Sequence, residues 1–187
     1  PTVVAAARAC ADGLLAGGVL PVLKHIPGHG RAQADSHLAL PRVSASVDDL
    51  TAHDFAPFAA LRDLPLGMTA HIVFDALDPD RPATTSPVMM QVIRDQIGFD
   101  GLLMTDDLSM QALAGSVTDR SHAAIAAGCD LILHCNGERD EMTAVAQAAG
   151  AMSTRAVIRA NRALALRKTP ETIDITALEA EFETLMA

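Results

Sequence analysis

The chain contains no tryptophan and no tyrosine, and five phenylalanines are its whole aromatic complement over 187 residues. Surfaces that recognise ligands by ring stacking are therefore hard to build from it. Positive charge is also scarce: 14 Lys and Arg stand against 23 Asp and Glu, a formal net charge of −9. That balance repels a phosphate backbone, and no basic cluster with interleaved aromatics offsets it, so nucleic acid is excluded as a partner. No uncharged apolar run approaches the ~18 residues that a membrane-spanning helix needs, which excludes a membrane partner of that kind. Cysteine is limited to Cys10, Cys129 and Cys135. Their odd number, apolar surroundings and lack of CxxC spacing speak against both a disulfide framework and zinc ligation, and predict core thiols in a reducing, cytoplasmic compartment. A GxGxxG turn is missing as well, which removes the usual mark of a dinucleotide fold. The first residue is Pro1, so the expectation is that a native amino terminus, with any signal peptide, has been lost.

What is present is apolar material: half of the residues are hydrophobic and the mean hydropathy is +0.24, enough for one sizeable core and against disorder. Four short aliphatic runs, each followed by polar residues, read as buried parallel strands: Val19 to Leu23, Leu66 to Ala70, Gly101 to Met104 and Asp130 to Leu133. Helical patterns alternate with them at Thr2 to Leu15, Asp54 to Arg62, Ser86 to Ile97 and Asp119 to Ala127. The Ser86 helix has the plainest punctuation, with Ser86 as cap, Pro87 at the first helical position and Gly98 as stop.

Strand–helix alternation implies an α/β class with a parallel sheet covered by helices. Polar groups follow each strand: Lys24 and His25, then His71, then Asp106, then His134 to Asn136. Such groups gathered at the carboxyl ends of successive strands are the arrangement of a (β/α)8 TIM-type barrel. An open doubly wound sheet gathers its ligand at one switch point instead. A whole barrel takes eight units and roughly 250 residues, whereas about four are legible here. The prediction is a single domain over residues 1–187 that supplies the second half of a barrel. Residues 138–187 should form outer helices (Glu138 to Met152, Ser153 to Arg167) and a polar tail from Lys168, with no part in chemistry.

The densest polar segment runs from Lys24-His25-Ile26-Pro27-Gly28-His29-Gly30 to Asp35-Ser36-His37. Its glycines and proline forbid regular structure and suit a loop that approaches a ligand closely and can move. Thr105-Asp106-Asp107 ends the third strand. Because side chains alternate faces along a strand, one of these acids should face a site while the other serves the loop. Lys24 is expected to be buried against a strand end with a polar partner, Asp107 to cap a helix from Leu108 onward, and His71 to be a satisfied histidine at the barrel mouth.

In order and spacing, KHIPGHG, DSHLALP, MTAHIVF and IGFDGLLMTDDLSMQAL resemble the family 3 glycoside hydrolases, in particular the bacterial β-N-acetylglucosaminidase branch of peptidoglycan recycling. The likeness covers roughly residues 1–137. It implies a retaining hydrolase without cofactor that removes N-acetylglucosamine from an N-acetylglucosaminide or muropeptide. In that branch the first acid of the TDDLSM motif is the nucleophile, which falls on Asp106. The histidine of the D-x-H motif is the acid/base, which falls on His37 paired with Asp35, and the Lys-His pair at the strand end, Lys24 and His25, binds the sugar. An imidazole that titrates near ~6.5 can give and take a proton near neutrality, and a neighbouring carboxylate fixes its tautomer. The missing barrel half, or a second copy, is the expected protein partner. Two alternatives use the same residues: a metal-dependent hydrolase built on His25, His29, Asp35 and His37, and a non-catalytic sugar-binding half barrel, which the shortage of aromatics disfavours.

Overall fold

The structure, a computed structural model, describes residues 1–33, 39–170 and 172–187. Helix α1 (Thr2–Ala16) leads to β1 (Val22–Ile26), and a short β2 (Arg42–Val43) precedes a continuous helical stretch. That stretch runs through α2 (Val47–Asp49), a wider turn at Leu50–Phe55 and α3 (Ala56–Ala60). After β3 (Leu66–Thr69) come β4 (Val73–Phe74) and β5 (Asp78–Pro82). Then follow α4 (Pro87–Gln91), extended by a wide turn at Val92–Gln96, β6 (Leu102–Asp107), α5 (Val117–Ala127) and β7 (Leu131–Leu133). Helices α6 (Arg139–Ala149), α7 (Thr154–Ala165) and α8 (Ile175–Met186) complete the chain.

The main sheet has the order β1-β3-β6-β7, parallel throughout. Spatial order thus follows chain order with no reversal, which is the arrangement of consecutive barrel units and lacks the switch point of a doubly wound sheet. One face is packed by helices through a core that includes Leu23, Ile26, Ile72, Phe74, Met89, Ile93, Phe99 and Leu103. Leu103 belongs to that core, so alternation sends Leu102, Met104 and Asp106 to the other face. The strand starts pack tightly: a Cβ on Gly101 would lie 2.5 Å from the Phe99 ring and 2.8 Å from the Leu64 carbonyl oxygen, so only glycine fits there.

All four sequence-read strands exist, but β1 begins three residues later than expected because Lys24 and His25 are themselves part of it. The helix expected from Asp54 starts at Val47, where the Ser46 side chain accepts from Asp49 N–H. Leu108 to Leu113 form turns and no helix. The stretch expected to be a polar tail holds α8, capped by Asp174, with Ile175, Leu178, Phe182 and Leu185 exposed along one stripe. The small sheet of β2, β4 and β5 was not expected either.

The three cysteines are free, but only Cys129 is a core thiol, and burial pushes its pKa up to about 12, which keeps it protonated and unreactive. Cys10 and Cys135 are exposed, contrary to the expectation. The core side of α1 runs through Val4, Ala7 and Ala11, and Cys135 lies beyond the end of β7. No helix among the described residues is long and apolar enough to cross a membrane.

Candidate active site

Parallel pairing places the carboxyl ends of the strands along one edge of the sheet, and Asp106 and His25 meet there. Asp106, the penultimate residue of β6, and His25, near the end of β1, approach to 3.5 Å between Asp106 Oδ2 and His25 Nε2, with 18% and 28% of their side chains exposed. The other Asp106 oxygen, Oδ1, accepts the Asp107 N–H at 2.8 Å. Asp106 is thereby oriented through one oxygen while the second faces His25. The two adjacent acids divide their roles as alternation requires. Asp107 accepts from Ser109 N–H at 3.0 Å, from the Ser109 hydroxyl at 2.5 Å and from Cys135 N–H at 3.1 Å. It ties the β6 turn to the segment after β7, in place of the helix cap expected of it. Burial raises the Asp107 pKa, but the hydrogen bonds from Ser109 and Cys135 outweigh that and hold it below the ordinary carboxylate value.

Lys24 is exposed, not buried as expected: Leu23 and Ile26 take the core on either side of an irregularity in the strand, and the lysine between them keeps its hydration. It stands beside His25 and disfavours a second positive charge there. His29 lies with its ring 5.7 Å from that of His25, edge to face. His71 is fully buried with both ring nitrogens satisfied, Nδ1 at 2.7 Å from Thr84 Oγ1 and Nε2 at 3.0 Å from the Asp107 carbonyl oxygen. Sequence reasoning placed His71 near the site but did not find Thr84, nor Arg120 of α5, which donates to the Leu108 carbonyl at 2.7 Å and braces the turn after Asp107. No motif marks either residue.

Burial lowers the pKa of His25, opposed by Asp106 and reinforced by Lys24 and His29; burial likewise lowers that of His71, opposed by the Asp107 carbonyl and by Asp106. Both rings are thus less protonated in the folded protein than in the unfolded chain, where histidine titrates near ~6.5. Unfolding takes up protons below that value, so stability falls as the pH drops through it and is regained above it. The melting temperature is expected to decline between about pH 7.5 and about pH 5.5, with a shallower slope for His71→Gln. A midpoint that stays constant over this range contradicts the assignment.

Asp35 and His37 lie outside the described residues. The residues on either side are anchored: Arg31 Nε donates to Asp54 Oδ2 at 2.7 Å, Arg42 pairs with Asp75, and the Ser44 hydroxyl donates to Asp75 at 2.7 Å. Among the described residues no three His, Cys, Asp or Glu side chains are grouped to hold a metal ion.

Residues 1–165 match the glycosyl hydrolase family 3 N terminal domain. A β-hexosaminidase of Methylococcus capsulatus is 43% identical over 139 residues, covering 72% of this chain and 41% of the relative. The chain thus spans about two fifths of the length of the curated relatives it matches. Among solved structures, a family 3 β-N-acetylglucosaminidase from a Paenibacillus species superposes with a TM-score of 0.73 at 32% identity, covering 88% of this chain and 35% of that one. LpqI of M. tuberculosis superposes with a TM-score of 0.74 at 33% identity, over 91% and 54% of the two chains. A zinc-bound CbsA from Thermotoga neapolitana does so with a TM-score of 0.69 at 31% identity, over 84% and 38%. With the match extending over 165 of its 187 residues, the chain belongs to glycosyl hydrolase family 3.

Proposed function

We propose that this chain carries the nucleophile and the acid/base of a retaining β-N-acetylglucosaminidase that removes non-reducing terminal N-acetylglucosamine from peptidoglycan-derived muropeptides in the cytoplasm. The observation that carries this is the division of labour between Asp106 and Asp107: Asp107 is consumed by the loop, while Asp106 presents one oxygen at the strand-end edge beside His25. The family likeness supports the same assignment, since its relatives include β-hexosaminidases and a β-N-acetylglucosaminidase.

In the proposed reaction Asp106 Oδ2 attacks the anomeric carbon as the glycosidic bond breaks, and His37, held by Asp35, gives its proton to the departing oxygen. A water that returns its proton to His37 then attacks the same carbon, releases Asp106 and restores the original configuration. Lys24, as an ammonium on the exposed face, and His25, as a neutral ring, hydrogen-bond sugar hydroxyls. In this reading the barrel is completed by a second half, from further chain or a second copy. Supporting this are the places of β1 and β7 as the outer strands of the main sheet among the described residues and a cavity of about 830 Å³ beside β7, lined by Met90, Ile125, Leu131, Leu133, Met142 and Val145.

The test is hydrolysis of aryl β-N-acetylglucosaminides of graded leaving-group acidity, with molecular mass followed by light scattering. His37→Ala should lower kcat by on the order of 10²-fold for poor leaving groups and hardly at all for the most activated ones. Equal losses across the series remove His37 from the acid role, and full turnover by a monomer of this chain alone removes the need for a second half. A second reading, in which His25 and His29 with Asp35 and His37 hold a zinc ion, is favoured by the 5.7 Å ring separation and by the zinc-bound relative. It requires that chelators abolish turnover.

A further inference from the structure

We propose that His71 is a positioning residue for Asp106, clamping the strand end that carries it through a buried chain of hydroxyls from Thr69 and Thr84. The inference rests on the assignment of Asp106 as nucleophile and extends it to groups that never touch the sugar.

The proton positions follow from the chemistry of the partners. A carbonyl oxygen can only accept, so the His71 Nε2 that lies 3.0 Å from the Asp107 carbonyl must carry a hydrogen. That carbonyl also accepts Met110 N–H at 3.3 Å, which fills its second lone pair. On the other side of the ring, Nδ1 is 2.7 Å from Thr84 Oγ1, which is itself 2.9 Å from Thr69 Oγ1 and 3.1 Å from the Ala70 carbonyl oxygen. Thr84 has one proton and two acceptors for it. With a neutral ring the proton goes to Nδ1 and Thr69 donates to Thr84. With a charged ring Nδ1–H donates to Thr84, which turns its hydroxyl to Ala70. In both states Nε2–H stays on the Asp107 carbonyl, so the clamp survives a change of protonation.

The surroundings keep the chain intact. Thr69, His71 and Thr84 are at most 1% exposed, so water does not compete for these bonds. Thr84 sits in a tight turn, Ala83–Thr85, that Ala83 N–H ties to the Ile72 carbonyl at 2.8 Å. The charged and titratable groups facing the ring are Asp106 and Asp107 of β6, Arg120 of α5 and His25 of β1. The clamp grips β6 one residue beyond Asp106. Thr105 is fixed one residue before it, its hydroxyl oxygen accepting Leu133 N–H at 2.9 Å. Asp106 is therefore the member of the strand end whose carboxylate is left to the site.

The experiment uses ring nitrogen–proton NMR on the 187-residue chain, together with aryl glycoside kinetics on the assembled enzyme. At neutral pH His71 should show the Nε2–H tautomer; the Nδ1–H tautomer overturns the proposal. In His71→Leu, Asp106 loses its bearing and moves from His25, so the His25 titration midpoint should fall further. The sign is diagnostic, because His71 itself lowers that midpoint and its removal alone would raise it. In His71→Gln, whose amide N–H reaches the Nε2 position, the midpoint should return. Kinetically, His71→Leu should lower kcat by on the order of 10²-fold with KM little changed, and His71→Gln should recover most of that loss. Should His71→Leu not fold, Thr84→Val takes its place, with the same fall in the His25 midpoint and recovery in Thr84→Ser. An unmoved His25 midpoint, or equal kinetic loss in the Leu and Gln variants, overturns the proposal. A correct tautomer and His25 response combined with full turnover by Asp106→Ala keeps the clamp and discards the nucleophile.

Discussion

Asp106→Ala in the assembled enzyme is expected to lower kcat on an aryl β-N-acetylglucosaminide by on the order of 10³-fold or more, with a smaller change in KM. The reason is that the adjacent carboxylate cannot take its place. Asp107 has two oxygens that already accept three hydrogen bonds from Ser109 and Cys135, and freeing one would open the turn after β6. The vacated carboxylate also leaves a space into which a small anion fits. Azide should then attack the anomeric carbon from the face Asp106 occupied and give a glycosyl azide of inverted configuration, recovering turnover with activated leaving groups. The loss should far exceed that in Asp107→Ala relative to protein stability, since Asp107 works through the fold. Turnover of Asp106→Ala within tenfold of the parent, or azide rescue in Asp107→Ala alone, would move the nucleophile elsewhere.

How much of this was legible in the sequence depends on what each signal rests on. Strands β3, β6 and β7 fell close to their expected places because a strand buried on a helix-covered face needs a run of apolar residues and little else. β1 was displaced because polar residues such as Lys24 read as an end of strand, while here one face of the strand is the site itself. The small sheet was invisible: β2 and β4 are two residues each, and β5 carries Pro79 and Pro82. Helix α8 was hidden by the acidic residues Glu179, Glu181 and Glu183, which mask an apolar stripe when composition is weighed over period. At the site, alternation along β6 implied that the two acids divide between two faces, and only the family resemblance pointed to Asp106 over Asp107. The hydroxyl chain behind His71 was not legible, because it depends on a turn that brings Thr84 back to a residue 13 positions earlier.

Asp130→Ala should destabilise the fold by about 3–5 kcal/mol, the usual cost of removing one partner from a buried ion pair. The carboxylate stands just before β7, 5% exposed, and answers three donors: Arg94 Nη2 at 2.8 Å, Leu103 N–H at 2.9 Å and Arg159 Nη1 at 3.0 Å. Through them it binds β6, the turn after α4 and helix α7 into one unit. Removing it strands a half-buried and a buried guanidinium donor and a sheet N–H. Asp100 provides the internal comparison. It pairs with the same Arg159 and with Arg162, but its side chain is 64% exposed, so Asp100→Ala should cost no more than about 1 kcal/mol. Against a total stability of about 5–15 kcal/mol, the first loss leaves a marginal fold and the second is barely felt. Urea unfolding of the two variants decides the matter, and equal midpoints would mean that burial does not set the value of this network. Because Asp130 holds β7 against the strand that carries Asp106, any activity lost in Asp130→Ala should follow the fraction of folded protein and leave KM unchanged.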